Sequence, residues 1–299
     1  MLDHKNFTYK ASIDWMEIEI TTTRPTNFWT IREIAGLCYV QPLNETEGGV
    51  ATVFKFKIYD ISTWNQLKST LKRLTEHNPL ASEPRIIGIE ISLDAYSKSN
   101  CEKDLKKHTA EFFRTVSNPL MINKNQRAAG KHKRSTEPVN LKIDNILQVD
   151  NRSFYIASQK DDDAAMRVYF KKIDRSLVLA IDEQRARIEI TLKNTECPFS
   201  TIEEAEHFKF EHLAKWFKFR KVRDGLTPRQ RLIVGWSSQL GEIKKRKVRI
   251  TGKINYRLFN PATKSNTELN TIAYEELRLL TKRLSKTRVL KKSAYSGAT

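Results

Sequence analysis

The residues of this 299-residue chain best placed to do chemistry are carboxylates set inside apolar, alternating segments. In RIIGIEISLDAY, residues 85–96, Glu90 and Asp94 lie four apart. With a strand's period of two they project with Ser92 from one face, opposite Ile89, Ile91 and Leu93. Glu189 takes the same place in RIEITL, on a face shared with Arg187 and Thr191. Three carboxylates presented by sheet strands could hold a hard divalent cation, Mg²⁺ or Mn²⁺, and leave positions open for phosphate oxygens. The bland alternative is a solvated sheet face, since alternating strands expose polar residues by default.

A second group sits in AMRVYFK, where Arg167, Tyr169 and Lys171 share one face and Val168 and Phe170 the other. A tyrosine flanked by two cations suits phosphoryl transfer. At its ordinary pKa of about 10 a phenol is a poor nucleophile; nearby positive charge favours the phenolate and neutralises the phosphate under attack. The alternative is a cross-strand packing tyrosine with solvated basic neighbours. Tyr155, in SFYIAS, is a second candidate nucleophile.

Several other chemistries are absent. The six histidines form no His-x-His and no HExxH, and the chain has no P-loop, GxSxG or GxGxxG. Cys38, Cys101 and Cys197 are too few and too far apart for a disulfide framework or a CxxC zinc knuckle, so they read as reduced and structural.

The elements that must position these residues follow from periodicity. Residues 13–22, 50–60 and 85–96 alternate as strands, with a short helix at 26–36 (Thr26 as cap) and an amphipathic helix from Ser62 between them. A helix follows at 100–116, then a polar, basic stretch at 118–138 that reads as a loop. Strands resume at 153–158, 165–171 and 186–192, and Ser200 with Glu203 marks the start of one helix running through STIEEAEHFKFEHLAKWF. Beyond Asp224-Gly225 come a helix from Thr227 to about Leu240, a basic strand pair over 245–259 and a helix capped by Ser265. The fold class expected is α+β: two pseudo-repeated antiparallel sheet units with helices packed on one side, plus a C-terminal basic helical module.

Charge divides the chain in the same place. From Leu213 onward there are 22 basic and five acidic residues, a local +17 within a total of +18. A near-neutral body beside a strongly basic segment reads as a folded core with a polyanion-binding surface, nucleic acid first among the partners. Its densest run is Lys244, Lys245, Arg246, Lys247 and Arg249, with Arg229 and Arg231 upstream. No apolar stretch approaches the roughly 20 residues of a membrane span, and no apolar signal core opens the chain, so a cytoplasmic protein with no membrane partner is expected.

In their order, these segments resemble the replication initiation factors of rolling-circle plasmids and filamentous phages, with the related relaxases of integrative conjugative elements. SFYIASQKDDDAAMRVYFKKID is similar to that family's aromatic strand, small-residue turn and Arg-x-Tyr-x-Lys strand; RARIEITLK to its Arg-x-Glu strand; RIIGIEISLDAYS to its acidic strand; IDWMEIEIT to its Asp-aromatic opening. The sequence departs at Glu90, where Asp is usual, and at Ala157-Ser158, which replaces a Gly-containing turn. The resemblance implies a metal-dependent endonuclease acting in a bacterial host cell. It would nick one strand of an origin through tyrosine, remain linked to the 5′ phosphate and leave a 3′ hydroxyl primer. Tyr169 would attack, with Arg167 or Lys171 stabilising developing charge, Glu90, Asp94 and Glu189 on the metal, and a host helicase as a further partner. A relaxase and a nonenzymatic DNA-binding regulator are the alternatives. The expected organisation is a nicking domain over 1–222, in two units (about 1–117 and 139–222) joined by the basic loop, and a DNA-binding module over 223–299.

Overall fold

The computed structural model describes residues 3–36, 39–44, 50–117, 126–130, 152–157, 163–174, 176–230, 244–250, 253–259 and 262–286. Among the described residues ten strands come first: β1 (Phe7–Asn27), β2 (Tyr39–Pro42), β3 (Val50–Ile61), β4 (Arg85–Ser97), β5 (Gln126–Gly130), β6 (Arg152–Ile156), β7 (Ala164–Lys171), the short pair β8 (Ile173–Asp174) and β9 (Leu177–Val178), and β10 (Arg185–Lys193). Eight of these form one antiparallel sheet in the order β2-β3-β1-β4-β10-β7-β6-β5. The two sheet units anticipated from the sequence are thus halves of one sheet, joined where β4 pairs with β10.

The helices α1 (Phe28–Ala35), α2 (Trp64–His77), α3 (Glu102–Thr115), α4 (Ile202–His207) and α5 (Thr267–Leu284) accompany it. Alternation decides which face they cover. Ile18, Phe56, Ile91, Val168 and Ile190 are fully buried and belong to a single apolar cluster with Leu67 of α2, Phe112 of α3 and Leu277 of α5. α5 buries Leu269, Ala273, Leu277, Leu280 and Leu284 at helical spacing, each leucine contributing roughly 1.5–3 kcal/mol of apolar transfer. It is anchored against β1 by the Arg283 guanidinium on the Ala11 carbonyl, and against the 3-10 turn Phe210–Trp216 by the Thr281 hydroxyl oxygen, which accepts from the Phe210 amide at 3.0 Å. Leu277→Ala would leave a cavity where the stripe meets the sheet. No helix among the described residues is long and apolar enough to cross a membrane. Cys101 and Cys197 are free thiols; Cys38 lies outside the described residues.

The structure corrects the sequence reading in three places. The caps fall one residue later than expected. Asn27 caps α1, Thr63 caps α2, Thr201 closes a capping box with Glu204 on α4, and Asn266 caps α5. Each follows another residue able to cap (Thr26, Ser62, Ser200, Ser265), and only the residue adjoining the first helical turn reaches its free amides. The helix expected through residues 200–217 breaks after His207, because Phe208 turns extended and Phe199, Phe208 and Phe210 pack edge to face in the core. Part of the expected loop at 118–138 is strand β5, which pairs with β6. Backbone pairing needs no side-chain alternation, so QRAAG carries no periodic signal.

Four further strands follow: β11 (Arg220–Val222) pairs with β14 (Thr263–Ser265), and β12 (Lys244–Ile250) with β13 (Lys253–Phe259), the expected basic ribbon. The Thr227 hydroxyl oxygen accepts from the Gln230 amide as a cap would; the remainder of the helix expected to Leu240 lies outside the described residues.

Candidate active site on the polar face of the sheet

The face turned away from the helices gathers the charged residues singled out from the sequence. β10 runs between β4 and β7, so Arg187 stands opposite both Asp94 and Tyr169, Thr191 opposite Glu90, and Glu189 opposite Ser92 and Arg167. β1 adds Asp14 through a bulge: Ile13 pairs with Ile91 and Trp15 with Glu90, which leaves Asp14 as the extra residue. A bulge re-aims a side chain out of the regular alternation, and here it sends a carboxylate into the cluster.

These residues are not a solvated face. Glu90 is 6% exposed, Asp94 and Glu189 1% each and Arg187 4%. Charged groups withdrawn this far from water must be paired, protonated or ligated. Asp94 is paired: its two oxygens accept from Arg187 Nε and Nη2, both at 2.6 Å. The same guanidinium donates from Nη1 to Asp14 at 2.7 Å and to Glu189 at 3.4 Å. Asp94 therefore neutralises and orients Arg187, and the carboxylate that joins Glu90 and Glu189 is Asp14. One oxygen from each of Asp14, Glu90 and Glu189 lies within 4.8 Å of the other two.

The three carboxyls differ in their electrostatics. Burial pushes the Asp14 carboxyl up to about 8, with the Arg187 charge opposing and Glu189 and Asp94 adding to the rise. Burial and then Glu189 raise Glu90, although the Thr191 hydroxyl donates to it at 2.6 Å. Glu189 moves the other way: burial would raise it, but Arg167 and Arg187 outweigh burial and hold it ionised. Three oxygen-donor groups crowded in this manner, two of them with weakened acidity, fit a hard divalent ion such as Mg²⁺ or Mn²⁺.

Tyr169 is built into the same cluster. Its hydroxyl donates to Glu189 Oε1 at 2.6 Å, while Arg167 Nε donates to Glu189 Oε2 at 2.7 Å. The Arg167 guanidinium lies 4.5 Å from the Tyr169 ring centre, and its Nη2 is 3.4 Å from the phenol oxygen. The phenolate expected from flanking cations is not what this environment favours. Burial, followed by the Glu189 charge, raises the phenol well above its ordinary range, and the arginines do not offset this. Lys171 stands apart, its ammonium 3.2 Å from Asp174. Tyr155 is half-buried on β6, directly opposite Arg167.

Of the basic residues expected to bind DNA, Arg229 is exposed just after the Thr227 cap. Lys244, Lys245, Arg246, Lys247 and Arg249 all fall on β12, and Arg231 lies outside the described residues. The site residues expected from the sequence do not include Asp14 or Arg187. The interruption of apolar alternation at Asp14-Trp15 was the available signal for the first, and the shared strand face with Glu189 for the second.

No protein-family model matches the chain, and no curated protein matches it. Among solved structures, a rolling circle replication initiator protein from Geobacillus stearothermophilus is similar over 78% of this chain and 100% of its own. The identity is 13% and the TM-score 0.37.

Proposed function

We propose that the chain cuts one strand of DNA by attack of Tyr169 on a backbone phosphate, as a rolling-circle replication initiator does. The observation that carries this reading is the 2.6 Å hydrogen bond from the Tyr169 hydroxyl to Glu189, a member of the carboxylate trio, beside the Arg167 guanidinium. A divalent ion held by Asp14, Glu90 and Glu189 would act as a Lewis acid on a phosphate oxygen and supply positive charge that the phenol lacks.

The protein's own groups account for the remaining steps. Glu189 receives the phenol proton as the Tyr169 oxygen bonds to phosphorus; the phosphorus–O3′ bond breaks and the departing 3′ oxygen takes a proton from solvent water, leaving a 3′ hydroxyl and a 5′ phosphotyrosine. Arg167, already beside the phenol oxygen, binds a non-bridging phosphate oxygen as charge builds there. The phosphotyrosine conserves the energy of the cleaved bond for rejoining, in keeping with the absence of a P-loop. In this reading the nicking part takes single strands and includes α5, whose leucines pack into the core of the sheet. The basic ribbon β12–β13 holds the origin duplex, and a host helicase opens it.

Labelled single-stranded DNA incubated with the protein and Mg²⁺ or Mn²⁺ tests the proposal. A covalent adduct should form with the wild type and not with Tyr169→Phe. An adduct in Tyr169→Phe that disappears in Tyr155→Phe would move the nucleophile to Tyr155. No adduct under any divalent ion, with DNA still bound, would leave the nonenzymatic regulator.

A further inference from the structure

On the helix-covered side of the sheet, the N-terminal turn and α3 bring three metal-ligating groups together. His4 lies in the 3-10 turn His4–Asn6; His108 and Glu111 lie one turn apart on α3. His4 Nε2 is 3.9 Å from Glu111 Oε1, and His108 Nδ1 is 3.4 Å from Glu111 Oε2. One ligand atom from each residue falls within 4.8 Å of the others. His108 is fully buried and His4 is 4% exposed, yet His108 Nδ1 and Glu111 Oε2 make no hydrogen bond. Buried polar atoms that face each other without a well-formed hydrogen bond are rare in folded proteins and call for a specific explanation.

We propose that His4 Nε2, His108 Nδ1 and the Glu111 carboxylate bind one Zn²⁺-class ion, a structural staple between the N-terminal turn and α3 that is separate from the Asp14, Glu90 and Glu189 trio. Zinc held at about 2.0–2.2 Å in a tetrahedron sets its ligand atoms about 3.3–3.6 Å apart. His108 Nδ1 is at this spacing from Glu111 Oε2 and His4 Nε2 is 3.9 Å from Oε1, so a turn of the Glu111 carboxylate is needed to set one oxygen against both nitrogens. Two imidazoles with one carboxylate suit zinc over magnesium, whereas the all-carboxylate trio suits magnesium.

The outer nitrogens are held as metal-bound histidines usually are. His4 Nδ1 and His108 Nε2 lie 3.0 and 2.8 Å from the Tyr9 hydroxyl oxygen, whose two lone pairs can take both N–H groups once the inner nitrogens ligate. The fourth position falls to water or to the second oxygen of Glu111.

The experiment uses the full chain, stripped with chelator, reloaded with Zn²⁺ in excess Mg²⁺, desalted and assayed for zinc per protein by mass spectrometry. The Co²⁺ form is scanned for the visible bands of four-coordinate cobalt. One zinc per chain should remain in the wild type and in the Asp14→Asn, Glu189→Gln double variant, and should be lost in His4→Gln. Tyr9→Phe retains every ligand and should weaken zinc about 10–100-fold, which keeps the test decisive if His4→Gln folds poorly. A wild type that retains no zinc, or zinc lost with the trio and kept in His4→Gln, would overturn the proposal.

Discussion

Replacing Asp14 by Asn should stabilise the metal-free protein at neutral pH and at the same time remove its response to Mg²⁺. The carboxyl titrates near 3.8 when exposed and at about 8 in the fold, chiefly through burial. A group whose folded pKa is raised contributes its full stability below the unfolded pKa and loses it as pH rises through the folded one. Between about pH 4 and pH 8 each pH unit thus removes about 1.4 kcal/mol. At pH 7 the loss reaches about 4 kcal/mol. Asn mimics the protonated acid: it can donate to Glu189 and accept from Arg187, but it never has to ionise.

With about 2–4 °C of melting temperature per kcal/mol, the variant should melt on the order of 8–16 °C above wild type in chelator at pH 7. The gap should close towards pH 4. Saturating Mg²⁺ should raise wild type and leave the variant nearly unmoved, since the variant has lost one of the three carboxylates that would hold the ion. Melting curves with and without Mg²⁺ at pH 4, 5.5 and 7 supply the measurement. An Asn variant melting at or below wild type at pH 7 without metal, or rising equally with Mg²⁺, would refute the reasoning.

Three other outcomes are expected. Tyr169→Phe should abolish the covalent adduct while costing about 1.5–3 kcal/mol of stability in urea unfolding and leaving DNA affinity nearly unchanged, because it loses one hydrogen bond to a buried carboxylate and keeps the ring. Asp94→Ala should destabilise by about 3–5 kcal/mol, since it leaves Arg187 buried without its bidentate partner. The milder Asp94→Asn should still bind Mg²⁺ by calorimetry, and loss of that binding would return Asp94 to the ligand set. Replacing Lys245, Lys247 and Arg249 together should flatten the salt dependence of duplex binding by about 2 to 3 in slope, measured by titration over a salt series. An unchanged slope would assign the basic ribbon to another partner.

Parity along single strands was legible from the sequence. It put Glu90 with Ser92 and Asp94, Glu189 with Arg187, and Arg167 with Tyr169, and the pairings of β4, β10 and β7 agree because a strand's two faces follow from residue number alone. The apolar partners of those strands likewise announced a sheet with one covered face. Alternation does not encode which strands become neighbours or how far they slide. That register set Arg187 opposite Asp94 and so took Asp94 into an ion pair, and a bulge that breaks parity brought Asp14 in as the third carboxylate. The break after His207 and the meeting of His4 with His108 have the same origin. Both depend on which distant side chains fill the space beside a segment, and that is decided when the core packs, across separations no local period reaches.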